Sequence, residues 1–296
     1  MPDTGTPTLD QLHVLATVAE SGSFSATARH LNRAQSVISY TIANLEVQLG
    51  LPLFTRDGHR PVLTEAGRAL VADARRVGLL VDELRARAAA LRRGLEAELG
   101  LAVDVMFPTE RLVCALNDFA AEYPTVGLRL RIEGLGGVAQ LMLDGTCQVG
   151  VSGWTGVRDD GLVRQRIGAV RLIPVAAPGH PLAHAAAPIP STVVREQVQL
   201  VLSDRTALTE GQDFGVLALR TWRLGDLGAK HALLLAGLGW GNMPEHIVRA
   251  DLDAGRLVAL ALAEAPEHQY PISLVHRADA PPGPAGAWLA ERLAGP

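Results

Sequence analysis

Four side chains close together, Gln35, Ser36, Ser39 and Tyr40, carry the most specific chemistry in the 296-residue sequence. A carboxamide, two hydroxyls and a phenol donate and accept hydrogen bonds, but alone they make neither a metal site nor an acid–base pair. At helical spacing they share one face with Ala43, while Ile38, Ile42, Leu45 and Leu49 recur at steps of four, three and four on the opposite face. Small polar groups in such a row fit the floor and rim of the major groove of double-stranded DNA, where base edges and phosphates supply matching partners. Gln35 is the strongest candidate for reading a base.

Short elements must hold that row in place. Thr8 and Gln11 form a capping box, and Leu12, Leu15, Ala16 and Ala19 then give a first helix its apolar face as far as Ser21-Gly22. Ser23 caps a second helix whose buried stripe is Phe24, Ala28 and Leu31, and a tight turn follows at Asn32-Arg33. The third helix, Gln35–Leu49, ends at Gly50. Two extended runs, 53–55 and 61–63, are joined by Arg56-Asp57-Gly58-His59-Arg60, a turn that projects Arg56 and Arg60 from a wing toward phosphate or minor groove. Arg33 at the turn and Thr64 at the foot of the wing complete the DNA-facing set. An ordinary helical bundle with one solvated face is the alternative; the wing and the long helix after it argue for a winged helix-turn-helix.

Net charge does not advertise such a role. Up to Thr64, four arginines face five carboxylates, a balance of −1 with histidines neutral, although nucleic-acid domains are usually basic. The cations cluster at the turn and the wing, so the docking surface can be locally positive. Modest non-specific affinity and a shallow salt dependence per protomer are expected.

From Leu70 onward, Ala74, Val77, Val81, Leu84, Ala88, Leu91 and Leu95 alternate steps of four and three, with charged residues between them. This heptad seam predicts a dimerisation helix, with Leu70, Val77, Val81, Leu84 and Leu91 as its contacts, that sets the spacing of two reading helices on an interrupted palindrome. A long surface helix packed on its own domain is the alternative.

Beyond residue 95 the pattern alternates strand and helix: strands at 101–106, 126–132, 148–152, 170–177, 199–202, 257–260 and 271–275, with helices at 111–123, 138–143, 226–236 and 284–293. Such alternation predicts a parallel sheet flanked by helices. Two crossovers, near Ile167-Gly168 and at 268–270, would divide this part into lobes with a ligand cleft between them. The organisation expected is α/β overall: a winged helix-turn-helix over 1–64, a linker and dimerisation helix over 65–95, and a two-lobed domain over 96–296, with lobe I at 96–167 and 271–296 and lobe II at 168–270. Polar residues at strand ends are candidate ligand contacts: Thr109 and Glu110, Ser152 and Trp154, Ser203 and Asp204, and Trp222. Each has a plainer reading, as cap, turn former or core aromatic. Glu110 and Asp204 would disfavour a bare carboxylate ligand and Arg223 would favour one.

Gly237-Leu238-Gly239-Trp240-Gly241 and Gly134-Leu135-Gly136-Gly137 lack the spacing and downstream acid of a dinucleotide loop, and neither metal-ligand spacing nor a nucleophile elbow occurs, so neither catalysis nor a cofactor is expected. No run is long and apolar enough to span a membrane and no secretion signal is visible, so a cytoplasmic, nucleoid-associated protein is expected. Cys114 and Cys147 are read as free thiols, with a redox pair as the alternative. Lys230 is the sole lysine among 27 basic residues, a bias attributed to composition.

The run 24–31, then Gln35-Ser36-Val37-Ile38-Ser39, Ile42-Ala43-Asn44-Leu45-Glu46, Leu49-Gly50, Leu53-Phe54 and Leu63-Thr64-Glu65-Ala66-Gly67, closely resembles the LysR-type transcriptional regulators. Tyr40 departs from the arginine many members carry, so a weaker contact or ring packing takes its place. Tyr123-Pro124, Asp144-Gly145, His180-Pro181-Leu182 and Gly237-Leu238-Gly239 resemble the effector domain of the same family, itself similar to periplasmic binding proteins. The resemblance implies a DNA-binding homodimer or homotetramer controlled by a small-molecule effector. RNA polymerase is a further candidate partner. A ligand sensor with a vestigial DNA head is the rival reading.

Overall fold

A computed structural model describes residues 5–55, 61–153, 161–203, 206–209, 212, 214–264 and 268–295. The chain divides into two compact units, 1–90 and 91–296.

In the first unit, helix α1 (Leu9–Ser21) starts on the Thr8–Gln11 capping box and ends at Gly22 in the left-handed conformation. Its core face is wider than its spelling suggests: Val14, Leu15 and Val18 are fully buried, whereas Leu12, Ala16 and Ala19 lie along the rim of the stripe. Ser23 caps α2 (Phe24–His30) through the Ala26 N–H, and Asn32 turns the chain at φ 51° into α3 (Gln35–Leu49). Ile38, Ile42 and Leu45 on α3 pack with Val14, Leu15 and Val18, so each full burial contributes about 1.5–3 kcal/mol. Strands β1 (Phe54–Thr55) and β2 (Val62–Leu63) pair antiparallel. Glu46 on α3 ties them to the helix by accepting the Leu53 and Phe54 N–H groups at 2.7 and 3.1 Å.

Helix α4 (Glu65–Arg92) packs its first turns on this core through Leu70, Val71 and Ala74. Gly67 is required where it stands, because a Cβ there would lie 2.1 Å from the Leu53 carbonyl oxygen. Further along, Leu79, Leu80, Leu84 and Leu91 are exposed. Leu95, the last position of the sequence seam, lies beyond the helix, past a turn at Gly94 (φ 80°), and packs against the core of the second unit instead.

The second unit is built on one path of strands. Strands β3 (Glu98–Asp104), β4 (Gly127–Glu133) and β5 (Val149–Gly153) are parallel, with β3 in the middle, and α5 (Thr109–Glu122) and α6 (Gly137–Leu143) connect them. The long β6 (Leu162–Ala176) leaves this set, and α7 (Ser191–Val194) leads to β7 (Gln199–Leu202) and β8 (Thr221–Leu224). Then come α8 (Leu227–Leu235), β9 (Trp240–Pro244), α9 (Glu245–Asp253), β10 (Val258–Ala259), the return strand β11 (His268–Arg277) and α10 (Pro284–Ala294). The sheet runs β4-β3-β5-β11-β6-β9-β7-β8, with β10 on β6. Strands β8 and β9 and helix α9 were not anticipated from the sequence, and β6 starts at Leu162, well before the expected 170.

Strands β6 and β11 form a continuous antiparallel ribbon through both expected crossovers. Ile272 faces Gly168 and Ser273 faces Arg166, which leaves Ile167 as a bulged extra residue beside Gly168 at φ 155°.

Candidate DNA interface and effector site

Helix α3 has no side-chain cap at Ala34, so its first N–H groups are open to an anion. Gln35, Ser36, Ser39 and Tyr40 are all exposed, Tyr40 by 68%, and none bonds to another described residue. Nothing among the described residues competes for these donors and acceptors.

The other members of the expected DNA-facing set behave differently. Arg33 is not a free cation: its guanidinium holds Asp10 in a two-pronged pair at 2.8 and 2.7 Å, and that bond keeps the Asp10 carboxyl below the usual carboxylate range. The arginine therefore braces the turn against the start of α1. The Thr64 hydroxyl is also engaged: it accepts the Gly67 N–H at 2.9 Å as the cap of α4 and donates to the Pro52 carbonyl at 2.8 Å. Arg56 and Arg60 lie outside the described residues.

Strand directions alone locate the second site. Strands β3, β4 and β5 run parallel to β6, because β11 is antiparallel to both β5 and β6. Strand β9 is antiparallel to β6, and β7 and β8 run with β9. The carboxyl ends of the two parallel sets therefore point at each other along the β6–β11 ribbon. Strand β5 ends at Gly153, level with Ile272 and hence Gly168, and β9 ends at Pro244, level with Leu172. Four residues of strand separate those levels, about 13 Å, the span of a small organic molecule.

At the first set of ends, Asp104 is buried and accepts three bonds: from the Met106 N–H at 2.8 Å, the Gly153 N–H at 3.1 Å and the Tyr270 hydroxyl at 2.8 Å. Burial pushes its carboxyl up to about 6 against the pull of these bonds. The cluster sews β3, β5 and β11 together, and Gly153 is required because a Cβ would sit 1.8 Å from the Tyr270 hydroxyl. Thr109 and Glu110, at the start of α5, are exposed, whereas Ser152 is buried and its hydroxyl donates to the Gly153 carbonyl at 3.0 Å.

At the opposite ends, Ser203 follows β7 half-buried, its N–H donating to the Leu224 carbonyl at 2.8 Å. Trp222 is 46% exposed on the outer strand β8, paired with Leu200, two residues short of the strand end. It does not share the rim with Ser203. Trp154 and Asp204 lie outside the described residues. Lys230, one turn into α8, is 3% exposed and donates to the Asn242 carbonyl at 2.7 Å.

Sequence reasoning passed over Asp104, Tyr270 and Lys230. A carboxylate inside the apolar run 99–106 and a lone lysine inside the apolar stretch 227–236 were the available signals. The thiols are unpaired, Cys114 exposed and Cys147 buried, and burial pushes the Cys147 thiol up, away from the reactive thiolate.

Comparison with known proteins agrees with both halves. Residues 9–68 match the bacterial regulatory helix-turn-helix protein, lysR family, and residues 92–295 match the LysR substrate binding domain. The uncharacterized HTH-type transcriptional regulator YeeY of Escherichia coli (strain K12) is 30% identical over 258 residues, covering 85% of this chain and 82% of its own. The probable HTH-type transcriptional regulator YhaJ of the same strain is 31% identical over 253 residues, covering 84% of each. A cysteine mutant of OxyR from Corynebacterium glutamicum shares the fold, with a TM-score of 0.55 at 20% identity over 98% of this chain and 93% of that one. These are transcriptional regulators rather than enzymes, and the chain belongs to the LysR family of DNA-binding transcriptional regulators with an effector-binding domain.

Proposed function

We propose that two or four copies of this chain grip an interrupted palindrome in promoter DNA, with α3 in the major groove and Gln35 reading a base while Ser36, Ser39 and Tyr40 contact neighbouring edges and phosphates. The observation that carries this reading is the row of exposed polar groups on α3 with no partner of their own. Arg56 and Arg60 of the wing supply backbone contacts. Exposed Leu84 and Leu91, with Val77 and Val81, form the seam along which two α4 helices zip. A second apolar surface supports a dimer of dimers: the outer strand β4 leaves Leu128, Leu130 and Ile132 exposed on one face, an edge that a second copy can cover.

A small effector seated between the two sets of strand ends changes the separation of the lobes. That change passes to the packing of neighbouring subunits and so to the bend of the bound DNA. RNA polymerase then meets a differently shaped promoter, in the cytoplasm and on the nucleoid. Thr109, Glu110, Ser152 and Ser203, with Trp154 and Asp204, are the candidate contacts around the gap. The test is an electrophoretic shift with the DNA upstream of the protein's own gene, run with and without a library of small metabolites. A sharp complex whose mobility or affinity responds to a metabolite is expected; no complex at any salt concentration overturns the reading.

A further inference from the structure

The only lysine of the chain stands where a cation is hard to accommodate. Lys230 is buried on α8, and among the described residues the Asn242 carbonyl is the sole acceptor for its three N–H donors. No carboxylate of the described residues faces it, and burial pulls its ammonium down to about 8. An ammonium with no counter-charge is costly to bury, whereas methionine or leucine would fill the same space without that desolvation penalty. The chain otherwise uses arginine for its positive charge, yet this one interior position carries the compact point charge of a lysine.

The surroundings give the ammonium a direction. Strands β7 and β9 pair as parallel neighbours only at Gln199–Trp240. Past that level, the Asn242 carbonyl accepts from Lys230 Nζ at 2.7 Å. A Cβ on Gly241 would meet the Leu200 carbonyl oxygen at 2.6 Å and the Lys230 Cε at 3.1 Å, so the lysine stem lies against both strands. Side chains in the first turns of a helix lean toward its amino end, and the amino end of α8 follows the carboxyl end of β8, on the gap side of the lobe. Gln199, the other buried polar side chain here, is fully engaged: it donates to the Gly215 carbonyl at 2.7 Å and accepts the Leu217 and Ala218 N–H groups at 2.8 and 3.1 Å. Lys230 keeps two of its donors in reserve, and the indole N–H of Trp240 beside Gln199 is likewise buried with no partner among the described residues.

We propose that Lys230 is the anchor for a carboxylate of the effector, and that the effector is therefore a small carboxylic acid whose carboxylate enters between the ends of β7 and β9. The assignment rests on the reading of the strand-end gap as the effector site. One negative charge neutralises one ammonium, and its oxygens accept the two unused N–H donors. A phosphate carries more charge and is best held by more donors than the two that Lys230 has left. Binding supplies the counter-charge that Lys230 lacks among the described residues.

A single lysine makes the test direct, because selective 15N-lysine labelling gives one side-chain Nζ signal in the full-length dimer. That signal is followed while acetate, benzoate and succinate, their carboxamides, and inorganic phosphate are added in turn. At least one carboxylate is expected to shift the signal saturably while its amide does not, and Lys230→Met is expected to weaken that binding tenfold or more while the operator complex forms as before. Lys230→Arg, which keeps the charge, is expected to recover part of the affinity. A signal that no carboxylate moves overturns the assignment, as does a signal that only phosphate moves. If a neutral metabolite alters the operator complex equally in wild type and Lys230→Met, the assignment fails and the effector reading stands. If no compound of any class alters that complex, the effector reading fails and takes the assignment with it.

Discussion

The proposed DNA-reading face and the proposed effector gap handle polar side chains in opposite ways. On α3 the amide and hydroxyl groups stand in solvent with no internal partner, ready to exchange water for DNA at little cost. At the strand ends around the proposed gap, Thr109 and Glu110 are exposed, whereas Ser152 and Asp104 are buried and engaged, Asp104 by three donors. An interface that must accept one rigid, highly charged duplex can be preformed and open. A site that must distinguish small molecules and move when it does so is built from buried bonds, where each unpaired group has a large energetic consequence.

Two changes separate the halves most sharply. Leu45→Ala removes a fully buried side chain beneath α3 and is expected to destabilise the DNA-binding unit by about 2–5 kcal/mol. Chemical denaturation followed by hydrogen exchange should show the amides of α1 and α3 losing protection while those of β3 and β5 keep theirs; a uniform loss would show that the halves unfold as one. Asp104→Asn probes the other half. Because the folded carboxyl is raised to about 6, the folded state keeps its proton between about pH 4 and pH 6 while the unfolded chain releases it. Stability from this group is thus fully present below about pH 4, is lost as pH rises to about 6, and stays flat above. The stability of wild type relative to Asp104→Asn should fall across that window by roughly 3 kcal/mol. A difference independent of pH would mean that the three donors hold the carboxylate ionised throughout.

The same contrast explains what could be read from the sequence. The reading head was legible because its signals are local: a capping box spanning four residues, a stripe repeating within a turn, a glycine closing α3. Even there the pattern blurred where a helix meets neighbours on two sides, so Val14 and Val18 were overlooked on α1. The heptad reading carried Leu95 into the helix because periodicity cannot see the left-handed turn at Gly94. Around the gap the signals are not local. Asp104 and Tyr270 are 166 residues apart in sequence, and their contact exists only once β11 returns beside β5. Lys230 and Asn242 are brought together only once α8 packs beside β9, a strand spelled Trp-Gly-Asn-Met-Pro that carries no alternating pattern. Trp222 was a candidate because its ring could stack on an effector; it stands on the outer strand of the sheet, which periodicity did not reveal as a strand.

Smaller effects sharpen the picture of the reading face itself. Gln35→Ala should cost about 1–3 kcal/mol on the operator and little on random DNA. Equal losses on both, measured by fluorescence anisotropy at one salt concentration, would reassign Gln35 from base reading to backbone contact. The smallest effect concerns Arg33, which the sequence offers to DNA and the structure gives to Asp10. Both side chains are more than a third exposed, so solvent screening keeps the pair worth less than about 1 kcal/mol to stability. Asp10→Asn should therefore leave folding nearly unchanged but release the guanidinium. If the freed arginine reaches a phosphate, affinity rises on operator and random DNA alike, and the slope of log affinity against log salt steepens by about 0.9. An unchanged slope would show that Arg33 faces away from the duplex whether or not Asp10 holds it, leaving the wing and the open amino end of α3 as the phosphate contacts of the reading head.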